Sequence, residues 1–305
     1  MELHPFIENM LAAQRGAPGL SAGTPQDARA LVSRARTALG SGREMLSVRD
    51  LEVPTRGGPL PARLLIPQEH PRALIVYVHG GGWVVGSIDD FEVLGRELAG
   101  QTGCAVLLPE YRLAPEYPFP AGLEDVEDVL TWSASSAREL LGAEVPLIGA
   151  GDSAGANLVT VAARRLGDRL RLVLQVLIYP VADADFDTSS YRAYAEGLPL
   201  TRRDMEWFFA HYTDPDRVTD PDISPLHAED LAALPPTTIL VAEVDVLRDD
   251  GAAYAARLEK AGVPTTLREY PGVTHGFVRL HNHLDVARQA IADIAADVDA
   301  AIPTA

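Results

Sequence analysis

A serine sits between two glycines in Gly151-Asp152-Ser153-Ala154-Gly155, after the apolar segment Val145-Pro146-Leu147-Ile148 and before a helix-like run from Ala154 to Leu166. On so sharp a strand-to-helix turn a serine projects its Oγ from the sheet edge, where it acts as a nucleophile once a base takes its proton. The flanking glycines suit a turn too tight for a Cβ. A second run, His79-Gly80-Gly81-Gly82-Trp83, follows the apolar stretch Ala73–Val78. Consecutive glycines let backbone N–H groups point into a cavity. There the loop's N–H groups, with that of Ala154 after the serine, can hold an oxyanion formed during acyl transfer. The competing readings are an ordinary flexible turn and a phosphate-binding loop; for the latter, no G-x-x-x-x-G-K-[ST], no G-x-G-x-x-G and no nearby lysine accompanies these glycines.

The serine needs a histidine base and a carboxylate to orient it. In parallel sheets carrying this turn the order along the chain is serine, acid, histidine, so both partners are expected beyond Ser153. Asp245 ends the apolar run Thr237–Val244, and His275 lies in Gly272-Val273-Thr274-His275-Gly276-Phe277, just after the last expected strand. Asp249 and Asp250, a turn further on, read as helix-start or surface acids. His211 falls in an aromatic helix and His227 in an irregular loop. His281-Asn282-His283 has the look of a metal tripeptide, but without supporting acids or cysteines it reads as a solvated helix start. No metal and no organic cofactor is expected.

The elements that must position these groups alternate along the chain. Two amphipathic helices are expected between Pro5 and Thr37, broken at Gly16-Ala17-Pro18-Gly19, then a strand pair, Ser47–Val53 and Leu60–Pro67, joined by the turn Arg56-Gly57-Gly58. Ala73–Val78, Ala105–Leu108, Pro146–Ile148, Arg171–Tyr179, Thr237–Val244 and Thr265–Tyr270 read as strands, the apolar ones buried on both faces. Helices are expected at Asp90–Ala99, Leu123–Trp132, Ser153–Leu166, Val246–Ala261 and Leu284–Ala300. The pattern predicts an α/β fold, a mostly parallel central sheet with helices on both faces. The alternation breaks from about 183 to 230, where Arg203–Tyr212 is the one helix-like piece. The expected division is therefore 1–45 for leading cap helices, 46–182 and 231–305 for two parts of the core, and 183–230 for a cap insertion.

The chain has 305 residues, 47% of them hydrophobic, enough for a large buried core. Its formal net charge of −17 and lack of a basic stripe argue against nucleic acid and anionic membranes as partners. The single cysteine, Cys104, lies in an apolar run and reads as a buried structural thiol. Met1–Phe6 lacks the basic start and apolar core of a signal peptide, and no apolar run is long enough to span a bilayer; a soluble, cytoplasmic protein is the expectation.

Taken together, His79–Trp83, Tyr111-Arg112-Leu113-Ala114-Pro115-Glu116, Gly151–Gly155, Asp245-Val246-Leu247-Arg248-Asp249 and His275-Gly276-Phe277 resemble the hormone-sensitive-lipase-like (bacterial family IV) carboxylesterases, from about residue 45 to the C-terminus. The resemblance implies an α/β-hydrolase fold with a helical cap. It implies Ser153 as nucleophile, His275 as base, Asp245 as its partner, and Gly81, Gly82 and Ala154 as oxyanion donors. His79, with Gly80, would brace the glycine loop without handling protons, and Tyr111–Glu116 would support the site from beneath. Two positions depart from the family pattern, Val246 where proline is usual and Asp250 where glutamate is.

The apolar stripe Phe6, Ile7, Met10 and Leu11 and the aromatic surface Met205, Trp207, Phe208, Phe209 and Tyr212 fit either packed core or a substrate wall. The resemblance suggests Trp83, Leu200 and Phe208 as pocket residues and short- to medium-chain esters as small-molecule substrates, and it allows a homodimer through a sheet-edge strand or the last helix. The same triad would serve an amidase, lactonase or deacetylase. A non-catalytic binding protein is also of this type: the plant gibberellin receptors resemble the family but lack the histidine that is present here as His275.

Overall fold

The computed structural model describes residues 3–302. Eight strands form one sheet: β1 (Ser47–Thr55), β2 (Gly58–Ile66), β3 (Leu74–Val78), β4 (Ala105–Pro109), β5 (Leu147–Asp152), β6 (Leu174–Ile178), β7 (Thr237–Val244) and β8 (Thr265–Thr274). Their order is β1-β2-β4-β3-β5-β6-β7-β8. β2 pairs antiparallel with β1 and β4, and every other pairing is parallel. From β3 the chain passes to one side, to β4, and then returns across it to β5. The strand order therefore reverses between β3 and β5, and the crevice outside their carboxyl ends is where open α/β sheets bind ligands.

The helices that follow are α1 (Pro5–Ala13), α2 (Pro25–Ala35), α3 (Ile88–Thr102), α4 (Ala121–Leu141), α5 (Ala154–Leu166), α6 (Ser189–Ala193), α7 (Arg202–Tyr212), α8 (Arg248–Lys260) and α9 (Asp285–Ala301). Successive side chains of a strand point to opposite faces, so β3 feeds two cores. Leu74, Val76 and Val78 join Val126, Val159 and Leu258 from α4, α5 and α8. Ile75 and Tyr77 join Leu94, Leu98 and Ile291 from α3 and α9. Cys104 is buried in this second core. Ile7 of α1 is fully buried there too, and the partly buried Phe6, Met10 and Leu11 pack against the same core. Among the described residues, no helix is long and apolar enough to cross a membrane.

Several boundaries differ from the sequence expectation. α4 runs on to Leu141, because the small residues Ser133-Ala134-Ser135-Ser136 dilute its apolar period without breaking the helix. The five-residue α6, capped by Thr188, is too short to leave a periodic signal. β8 continues to Thr274 past Pro271-Gly272. Its register against β7 shifts between Ala242 and Val244, and Gly272, at φ 68°, gives its N–H to the Glu243 carboxylate at 2.8 Å. His281-Asn282-His283 lies just ahead of α9 and is solvated only in part, with Asn282 and His283 exposed. His281 is buried, Asn282 donates to the Leu39 carbonyl at 2.6 Å, and His283 bonds the Ala38 carbonyl at 2.7 Å.

Residues 183–230 are tied to the leading segment, and the leading segment to loops of the core. The Ser21 N–H donates to Asp204 at the start of α7 (2.9 Å). From α2, Arg29 donates to the carbonyls of Val84 and Ala114 and pairs with Glu116.

Candidate active site

Ser153 links β5 to α5 with φ 53° and ψ −121°, a conformation that L-residues adopt only when the surroundings impose it. The imposing contact is backbone on backbone. A Cβ at Gly155 would lie 2.0 Å from the Val78 carbonyl oxygen, so only glycine lets α5 begin against the end of β3. Ser153 is buried, and its N–H donates to the Ile178 carbonyl at 2.8 Å.

His275 Nε2 lies 3.1 Å from Ser153 Oγ, and its Nδ1 lies 2.7 Å from Asp245 Oδ2. The other Asp245 oxygen accepts the Leu247 N–H at 3.0 Å, which fixes the carboxylate, and the Asp245 side chain is fully buried. The resumed pairing of Val244 with Thr274 sets Asp245 and His275 side by side. In this hydrogen-bonded chain the imidazole can take the hydroxyl proton on one nitrogen while the carboxylate holds the other.

Asp249 and Asp250 do not reach His275, and Asp250 is not a surface acid. Its buried carboxylate accepts the N–H groups of Ala182 and Asp183 (3.1 Å each), and burial pushes its pKa well above the usual range. Asp249 accepts the Ser190 N–H at 2.9 Å, so both acids fasten the start of the 183–230 segment. His211 bonds the Trp207 carbonyl and His227 pairs with Asp183, each away from the serine.

The glycine loop after β3 turns with Gly81 at φ 121° and Gly82 at φ 57°. Among the described residues, the N–H groups of Gly81, Gly82 and Ala154 make no intramolecular hydrogen bond, which leaves them free to bind an anion. The Gly80 N–H is occupied instead by Asp152 Oδ1 at 2.8 Å, which also accepts the Tyr77 hydroxyl at 2.9 Å. Burial raises the Asp152 pKa, and the positive charge of Arg279 is the leading opposing influence. His79 is buried between the rings of Tyr111 and Phe91 and bonds the Gly80 carbonyl through Nδ1 at 2.8 Å. Burial pushes its pKa down to about 4, so it stays neutral at working pH. The Tyr111 hydroxyl donates to the His79 carbonyl at 3.0 Å.

Of the three pocket candidates, Phe208 stands over the loop: a Cβ at Gly82 would lie 2.2 Å from its Cγ. Trp83 is buried against Tyr212, stacked at 4.2 Å, and Leu200 is buried in the same cluster. Nothing in the sequence marks Asp152 as the acceptor of the Gly80 N–H except its position next to the serine. Among the described residues, no group of His, Cys, Asp and Glu is arranged to hold a metal ion.

Comparison with known proteins bears on the fold and the family. A family profile described as the alpha/beta hydrolase fold matches residues 75–279. The chain is 38% identical over 262 residues to an ethyl acetate hydrolase of Pseudomonas putida, covering 83% of this chain and 82% of that one. It is 37% identical over 291 residues to the carboxylic ester hydrolase LipN of Mycobacterium tuberculosis, covering 91% and 77%. A hyperthermophilic esterase from the archaeon Pyrobaculum calidifontis superposes with a TM-score of 0.94 at 35% identity, covering 98% of this chain and 99% of that one. The chain belongs to the alpha/beta hydrolase fold family, in its hormone-sensitive-lipase-like branch.

Proposed function

We propose that this protein is a serine carboxylesterase that cleaves small carboxylic esters through an acyl-enzyme on Ser153. The supporting observation is the unbroken chain from Asp245 through His275 to Ser153 Oγ beside three unoccupied N–H groups. Ser153 Oγ bonds to the ester carbonyl carbon as its proton passes to His275 Nε2. Asp245 holds the imidazolium, and the Gly81, Gly82 and Ala154 N–H groups take the charge on the carbonyl oxygen. The C–O bond to the alcohol then breaks, and His275 returns the proton to the departing oxygen. Water repeats the attack on the acyl group, again through His275, and releases the acid and Ser153. These steps call for no metal or organic cofactor. His79 and Gly80 keep the loop in shape and transfer no proton.

Phe208 packed over Gly82, beside a serine that is itself buried, favours short- to medium-chain acyl groups and turnover of dissolved ester without an interface. We read the leading helices and residues 183–230 as the cap that sets this limit. The test is a p-nitrophenyl ester series of increasing chain length with Ser153→Ala as control. Activity should peak at short to medium chains and vanish in the variant. Unchanged turnover by Ser153→Ala, or a steady rise out to long-chain emulsions, would overturn the reading.

A further inference from the structure

Two hydrogen bonds hold the His275 ring, one at each nitrogen. They fix its position in the plane but resist tilting about the line through the two nitrogens only weakly. The second bond is also temporary, because once Ser153 is acylated its oxygen no longer has a proton to share. Deacylation thus begins with Asp245 as the one protein group hydrogen-bonded to the imidazole, the attacking water replacing the serine at the other nitrogen.

Tyr179 supplies the missing constraint. Its ring lies 4.4 Å from that of His275, centroid to centroid, with the planes inclined at 54°, and Phe277 packs against it at 6.0 Å. The residue is fully buried and its hydroxyl has no hydrogen-bond partner, so the phenol oxygen does not explain a tyrosine at this position. The backbone is unusual as well. Tyr179 has φ 36°, which glycine adopts freely and a bulky side chain adopts at a cost. That turn lies between two contacts to the serine: the Ile178 carbonyl accepts the Ser153 N–H at 2.8 Å, and the Val181 N–H donates to the Ser153 carbonyl at 3.4 Å. Four consecutive residues therefore grip Ser153 by its backbone while one of their side chains backs His275.

We propose that Tyr179 is a positioning residue that fixes the tilt of the His275 imidazole relative to Ser153, and that its ring matters most in deacylation. The proposal rests on the reading of Ser153 and His275 given above. The test is stopped-flow turnover of p-nitrophenyl acetate by wild type, Tyr179→Phe and Tyr179→Leu, each checked for folding by thermal unfolding. Tyr179→Phe keeps the ring and should match wild type within about twofold. In Tyr179→Leu, kcat should fall by about 10- to 100-fold, the range expected for a misplaced catalytic group. KM should fall with it, so kcat/KM changes less, and a burst of one p-nitrophenol per active site should appear as acyl-enzyme accumulates. If the leucine variant does not fold, Tyr179→Met, which fills more of the space, takes its place. The proposal fails if the leucine or methionine variant keeps wild-type kcat, if Tyr179→Phe loses as much, or if kcat and kcat/KM fall equally with no burst. His275→Ala in the same assay separates the two readings: full turnover there would remove the base assignment itself, whatever Tyr179 does.

Discussion

On the β3/β5 side of the crevice the backbone does the positioning, and on the β7/β8 side the side chains do it. Ser153 is forced into place because α5 starts against the Val78 carbonyl with no room for a Cβ. His275 is placed by a shifted register, by Glu243 bonded to the Gly272 N–H, and by Asp245, whose surroundings include the acids that fasten residues 182–190. Steric exclusion is short-ranged and nearly absolute, whereas a hydrogen bond contributes about 1 kcal/mol net and tolerates small movements. The nucleophile side should therefore fail abruptly under substitution and the base side gradually.

The largest effect tests whether both sides serve one reaction. Ser153→Ala and His275→Ala should each lower kcat by on the order of 10⁴-fold or more, and the double variant should lose little beyond either single one. Additive losses would mean that the two residues do not act as a unit. Next is Gly155→Ala, whose Cβ would meet the backbone carbonyls of both Val78 and His79. It should cost about 2–4 kcal/mol in denaturant unfolding and most of the activity, and a variant as stable as wild type would refute the steric account.

A third prediction concerns pH. His79 has an ordinary pKa of 6.5 and about 4 when folded, so it contributes stability that is complete above 6.5 and is lost as the pH falls toward 4, because the unfolded chain takes up the proton first. At pH 5 the loss is about 2 kcal/mol. Urea unfolding at pH 7 and pH 5 should show that slope in wild type and not in His79→Asn, which keeps an N–H for the Gly80 carbonyl. Identical slopes would contradict a neutral buried His79. The smallest effect belongs to the base side. Glu243→Ala leaves the Gly272 N–H without its partner and should cost about 1 kcal/mol, with a several-fold lower kcat and little change in KM. A collapse as severe as that expected for Gly155→Ala would erase the contrast between the two sides.

The same contrast governs what the sequence makes legible. Glycine is the only residue that satisfies the contact at Gly155, so the Gly-Asp-Ser-Ala-Gly run announces itself, and the buried strands announce themselves through unbroken apolar runs such as Leu74–Val78. The reach of β8 past Pro271-Gly272 is not legible, because it depends on a carboxylate from β7. Nor is the burial of Asp250, whose hydrogen-bond donors are the backbone groups of residues 182 and 183. The bonds that tie Asn282 and His283 to the Leu39 and Ala38 carbonyls are not legible either, because those partners lie far away in the chain. Tyr179 gives no sign at all, since a tyrosine ending a strand is unremarkable until its φ and its neighbour are known.

The parallel pairing of β3 with β5 sets a schedule for the chain as well as a place for the site. Leu74 meets Leu147 only after the whole of α3, β4 and α4 has been drawn into a closed loop, and contacts of such long range form slowly. Before that closure, the glycine loop and the serine turn are far apart on the chain with nothing to align them. Recovery of esterase activity during refolding should therefore trail the return of helical signal, because the enzyme comes to life only when the middle of its sheet has zipped shut.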